Sequence, residues 1–297
     1  MRRVLKQLRS ILLWRCVIAE LLASSLYCFF ATQMLFRLSR TLDKNIIVVQ
    51  TQSTALSLGF LVMVLSHGFG VSHNAFIFPS ITFGKCLMKK TGFLSSLLYF
   101  LFQMIGGVIG VALDHVINSR QLNAGEIFPR LNVTIGIGCV IEGILSLLFV
   151  LAVLSTHEKE SGRYQITPSL VFGFGVAASF VMGHHQTGAI LNPSIVFGVG
   201  IVHNHWPQFV WIYWVGPLIG GMLGGFLYVF LLYPPTEKEE KNSRMESEKE
   251  SLYSISSTKD KSRKLDHYER NAALSYIIES NSQSYKNPVF EDDTKKT

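Results

Sequence analysis

A chain of 297 residues that is 48% hydrophobic and only 16% charged has too little polar surface to cover a soluble globule of its size. Its net charge of +7 is unevenly placed: residues 236–297 hold 12 Lys/Arg against 13 Asp/Glu, which leaves 15 against 7 on the first 235 residues, among long apolar stretches. That placement suits the flanks of membrane spans rather than a nucleic-acid-binding face.

The chain begins with a basic arm over residues 1–11 (Arg2, Arg3, Lys6, Arg9), and the apolar run behind it continues to about residue 36 without a small-residue cleavage pattern. The expectation is a retained transmembrane helix, not a signal peptide. A span needs roughly 20 mostly apolar residues. Six stretches qualify, at about 12–36, 47–68, 93–113, 134–154, 167–183 and 208–233. Cys16, Cys28, Cys86 and Cys139 have neither metal-knuckle nor disulfide-framework spacing, and read as small apolar fillers.

Between the second and third spans, and again between the fifth and sixth, lies one short element in two copies. Phe78-Pro79-Ser80-Ile81-Thr82-Phe83-Gly84 and Asn192-Pro193-Ser194-Ile195-Val196-Phe197-Gly198 agree at five of seven positions. Each opens an apolar segment too short to span. Proline suits the first helical turn, where its missing N–H has no partner to lose, so half-helices are expected to begin at Pro79 and Pro193. Irregular backbone at membrane depth is tolerated only where protein buries it or where it lines a watery path. Paired re-entrant half-helices therefore point to a pore or a midplane site.

The duplication divides the chain into a first repeat at about 12–115 and a second at about 134–235. Each holds three spans, an odd number, so the two insert with opposite topology and their half-helices meet near the bilayer centre. The fold class expected is an all-α membrane protein of six transmembrane helices and two re-entrant half-helices in two inverted repeats. Glu20 and Glu142 sit early in the helix that opens each repeat. Membrane carboxylates pair or bond to exposed backbone amides; support of the re-entrant loops is the favoured role, and proton relay the alternative. Gly106, Gly107 and Gly110 in the third span, and Gly216, Gly220, Gly221, Gly224 and Gly225 in the sixth, permit close helix packing.

These features resemble the aquaporin, or major intrinsic protein, family over residues 12–235. The likeness includes Thr82-Phe83-Gly84, Thr187-Gly188-Ala189, Gln103, and Trp211-Ile212-Tyr213-Trp214-Val215-Gly216-Pro217. Residues 12–30 and the polar tail are also similar to the insect big brain branch of that family. The resemblance implies a passive channel for water or small uncharged solutes, a homotetramer, no enzyme activity and no cofactor or metal. In the family each half-helix is headed by Asn-Pro-Ala, with the two Asn side chains as midplane donors. Asn192-Pro193-Ser194 keeps this with a small change. Phe78-Pro79-Ser80 replaces the donor with a ring, with Asn74 as a substitute donor from the preceding loop.

Carried over position by position, the family's outer constriction falls on Leu58, Phe180, Ala189 and Ile195. Family members that pass water usually have Arg where this chain has Ile195, and often His at Phe180. An apolar ring offers water no replacement hydrogen bonds and tends to dewet. The pore is then either closed to water or relaxed toward less polar solutes, gases or ions. A conduction-poor homologue acting in adhesion or signalling is the alternative function.

Charge bias places both termini in the cytoplasm: the N-terminal arm, the Lys85/Lys89/Lys90 cluster and the loop over residues 157–163 share one side, against Arg37, Arg40 and Lys44 on the other. The plasma membrane is the expected location. His184, His185, His203 and His205 belong to the outer rim, and His67 and His73 to the cytoplasmic entry. They read as solvated loop residues, with a zinc or pH-gate role for His203 and His205 as the alternative. Asn132-Val133-Thr134 is a possible glycosylation sequon on the outer side. Residues 236–297 read as a disordered cytoplasmic tail, open to a cytoplasmic partner near residues 272–278 and 285–290 and to phosphorylation.

Overall fold

The structure, a computed structural model, describes residues 7–41, 44–70, 76–118, 128, 131–156 and 167–232, with residues 245, 269–275 and 277–278 of the tail. The chain divides into two units, Met1–Tyr233 and Pro234–Thr297. In the second, residues 269–275 are helical.

The first unit consists of helices that follow one pattern twice: long, long, short, long. The first repeat has α1 (Ile11–Ser39), α2 (Lys44–Leu65), α3 (Pro79–Leu87) and α4 (Phe93–Asn118). The second has α5 (Ile135–Ser155), α6 (Pro168–Thr187), α7 (Pro193–His203) and α8 (Ile212–Leu227). Proline stands in the first turn of α3, α6 and α7, where it costs no hydrogen bond. Helix α6 stops at Gly188, whose φ of 92° lets its N–H turn back to the His184 carbonyl. Asn204 ends α7 in the same left-handed way, with φ of 48°.

Among the described residues, five helical stretches are long and apolar enough to cross a bilayer: Ile11–Ser39, Ile46–Phe69, Phe93–Asn118, Ile135–Ser155 and Ile212–Leu231. Helix α6 has 20 residues, but His184, His185 and Gln186 lower its hydropathy. It counts as the sixth span through its place in the repeat and its packing on α2 and α5. The sixth apolar stretch starts later than residue 208, because residues 207–211 form turns, with Val210 N–H on the Pro207 carbonyl at 2.9 Å. Leu22, Phe60, Ile109, Val140, Phe174 and Met222 are all exposed, so the apolar surface continues along every span and needs lipid to cover it.

Small residues set how closely the spans approach. A Cβ on Gly110 of α4 would come within 2.2 Å of the Ser25 carbonyl oxygen of α1, and one on Gly220 of α8 within 2.1 Å of the Gly143 carbonyl oxygen of α5. Gly59 of α2 and Gly173 of α6 meet in the same way. The half-helices are seated across the repeats. Gly107 of α4 lies against Ser194 of α7, and Gly221 of α8 against Ser80 of α3. Neither repeat can therefore build its share of the centre alone.

Candidate functional site

The backbone just before each half-helix is bent tightly. Phe78 N–H reaches the Phe76 carbonyl at 2.6 Å and Asn192 N–H the Ile190 carbonyl at 2.6 Å, which puts Ile77 at φ 64° and Leu191 at φ 56°. Such turns are strained for any residue with a side chain, above all a β-branched one. Two buried carboxylates hold them. Glu20 accepts Phe76 N–H at 2.7 Å, Ile77 N–H at 3.0 Å and the Gln103 amide at 2.9 Å; the same amide also reaches Thr82 Oγ1 at 3.0 Å. Glu142 accepts Ile190 N–H at 3.1 Å, Leu191 N–H at 3.0 Å and the Thr187 hydroxyl at 2.7 Å. Tyr213 of α8 donates to the Thr187 carbonyl at 2.6 Å and steadies this corner from behind.

The strained turns bring the two half-helix heads together. Asn192 Nδ2 donates to the Ile77 carbonyl at 3.2 Å, and its Oδ1 caps α7 by accepting Ser194 N–H at 3.0 Å. One amide hydrogen and the amide oxygen of Asn192 are thus engaged by protein, and the side chain is fully buried. Phe78 caps α3 with backbone alone. Its ring, also fully buried, lies between Tyr27 of α1 at 5.2 Å and Phe149 of α5 at 5.1 Å between centroids. The Ser80 and Ser194 hydroxyls behind the two prolines are buried without a protein partner, so they add bulk and no hydrogen bond.

Leu58, Phe180, Ala189 and Ile195 come from α2, α6, the loop before α7 and α7 itself, yet they line one small cavity of about 10 Å³ with Tyr27, Ala31, Leu35 and Ile190. That is space for about one water molecule, and every lining side chain is apolar apart from Tyr27. Next to it, a larger cavity of about 460 Å³ shares Leu35 and is lined also by Phe128, Asn132, His184 and His185. His184 stacks on Phe180 at 4.6 Å and 21° between planes. Asn132 donates its side-chain amide to the His185 carbonyl at 2.6 Å and its backbone N–H to Gln186, so the sequon residue anchors this mouth.

The remaining sequence candidates divide. His203 packs edge to face on His115 and His205 on Phe128, so the two histidines of the His-x-His pair face different neighbours. Among the described residues no three His, Cys, Asp or Glu come together as a metal site would require. Asn74, His73 and the loop over residues 157–163 lie outside the described residues. Lys85, grouped in the sequence with Lys89 and Lys90 in one basic cluster, differs from them in burial. It is 7% exposed, with Nζ 3.6 Å above the Phe76 ring. Residue 85 follows Ile81 by one turn and so shares the buried face of α3.

Sequence reasoning missed Tyr27 and Phe149. A signal was present: each follows its repeat's carboxylate by seven residues, two helical turns, and so points the same way into the interior.

The chain has counterparts among known proteins. A sequence profile described as Major intrinsic protein matches residues 7–228. The chain belongs to the major intrinsic protein family. It is 31% identical over 233 residues to Aquaporin-2 of Ovis aries, which spans 78% of this chain and 83% of that one. It is 29% identical over 231 residues to the lens fiber major intrinsic protein of Lithobates pipiens, spanning 77% and 85%. The aquaglyceroporin structure from Plasmodium falciparum superposes with a TM-score of 0.65 at 19% identity, covering 75% of this chain and 98% of that one, which supports the shared aquaporin fold. Members of this family are channels rather than enzymes, and the chain is an integral, multi-pass membrane protein of the same build.

Proposed function

We propose that the chain is a passive transmembrane channel for water and/or small uncharged solutes, with Leu58, Phe180, Ala189 and Ile195 as an apolar selectivity filter. One observation carries the reading: four apolar side chains from four separate segments line a single narrow cavity. In that setting a strongly hydrated solute loses its water shell without replacement, which favours weakly polar solutes. Phe78, Pro79, Ser80, Asn192, Pro193 and Ser194 form the midplane, and Glu20 and Glu142 support it. The working unit is a homotetramer in the plasma membrane with both termini cytoplasmic.

Vesicles carrying the full chain are expected to take up water, glycerol or urea faster than protein-free vesicles under an osmotic or solute gradient. If confirmed insertion is accompanied by no uptake of any of the three, the filter reading fails. A second reading is favoured by the fully buried Phe78, which offers no hydrogen bond at the midplane. On that reading the chain is a conduction-poor homologue acting in adhesion or signalling, in line with its likeness to big brain, and the tail binds a cytoplasmic partner.

A further inference from the structure

The filter is not the only narrow place. Phe78 heads the half-helix of the first repeat at the point where the second repeat offers Asn192, and a ring from each repeat lies against it. Tyr27 comes from α1 and Phe149 from α5, at equal distance from Glu20 and Glu142 in sequence. Because the repeats are related by inversion, these two rings approach Phe78 from the two halves of the molecule. Tyr27 and Phe149 are each 2% exposed, and Phe149 is backed edge to face by Phe172 at 6.2 Å. The neighbouring polar group compensates only in part, since Asn192 has turned one amide hydrogen to Ile77 and its oxygen to Ser194, leaving a single hydrogen to donate.

We infer that Tyr27, Phe78 and Phe149 form an aromatic seal across the path at the meeting point of the half-helices, and that this seal, rather than the filter, sets the rate of permeation. The inference rests on the channel reading above. Its physical content is a second narrow zone that adjoins the first, with Tyr27 bordering both. Passage past the filter leads to three buried rings in contact, of which Phe78 and Phe149 offer no replacement hydrogen bond and Tyr27 only its hydroxyl, so the slower step lies there. The residue deciding this beside Phe78 is Phe149: shrinking Phe78 alone leaves the Phe149 ring free to lean into the vacated space. Opening the filter alone leaves the seal untouched.

The test uses the full chain, purified and reconstituted in vesicles, with osmotic shrinkage followed by light scattering and equal insertion confirmed. The double variant Phe78→Asn with Phe149→Leu is expected to raise water permeability over wild type by about tenfold or more, equivalent to a barrier lower by ~1.4 kcal/mol. Ile195→Gly by itself, which widens the filter cavity, is expected to raise it by less than the double variant does. The opposite pattern, a large rise from Ile195→Gly and none from the double variant, overturns the seal and leaves the channel reading standing. A monodisperse variant combining Phe78→Asn, Phe149→Leu and Ile195→Gly that still passes no water overturns the channel reading itself. Should Phe78→Asn fail to yield monodisperse protein, Phe78→Ala with Phe149→Leu makes the same test without adding a polar group.

Discussion

Ile77 and Leu191 are the two residues on which the centre turns. Each is an apolar side chain in left-handed backbone, at a cost of about 1–3 kcal/mol. Glu20 and Glu142 offset that strain by accepting the paired N–H groups around each turn. Removal of either carboxylate leaves two buried N–H groups unpaired, at roughly 1–3 kcal/mol each, against a whole-protein stability of only about 5–15 kcal/mol. Glu20→Ala and Glu142→Ala are therefore expected to lower the melting temperature sharply or abolish the monodisperse peak in detergent. The Gln variants, which keep one acceptor oxygen, lose less. Size-exclusion after stepwise heating distinguishes them, and alanine variants that melt with wild type would remove the support role. The carboxylates were legible as supports because each is the one acidic residue of its span. Which amides they hold was not, since Glu20 and Phe76 are 56 residues apart.

At the level of elements, each half-helix is positioned by the other repeat's last span. A Cβ on Gly107 would lie 2.3 Å from the Ser194 carbonyl oxygen, and one on Gly221 2.3 Å from that of Ser80. These are backbone atoms of α7 and α3, so relief requires moving a half-helix. Gly107→Val and Gly221→Val are expected to cost roughly 1–3 kcal/mol or more as overpacked sites, lowering the melting temperature. Gly136→Ala, where a new Cβ meets nothing within 4 Å, is expected to leave it unchanged or slightly raised. A Gly136 variant that falls as far as the other two would detach this effect from the half-helix contacts. The glycines could be read from sequence as packing residues. Their division of labour, Gly110 against a span and Gly107 against a half-helix, needed the fold, because the two lie within one turn of each other.

For the whole molecule, two repeats of three spans bring both termini to the same side of the bilayer, whichever side that is. Arg2, Arg3, Lys6, Arg9, Lys89 and Lys90 favour the cytoplasm. An epitope placed at either terminus is expected to be reached by antibody only after the cells are permeabilised. Labelling of one terminus in intact cells would mean an odd number of spans, and labelling of both an inverted orientation. Lys85 is left out of this charge count because it is buried against Phe76.

The sequence by itself determined the membrane class, the duplication, the proline-started half-helices and the apolar character of the filter positions. Those properties depend on composition, period and local backbone chemistry, which a linear chain displays directly. Tertiary structure alone decided that Asn192 bonds to Ile77, that Lys85 is inside, and that Tyr27 and Phe149 lie on either side of Phe78. Each of these joins residues from separate helices, and a ring or an amide acquires its role from what packs against it rather than from its neighbours along the chain.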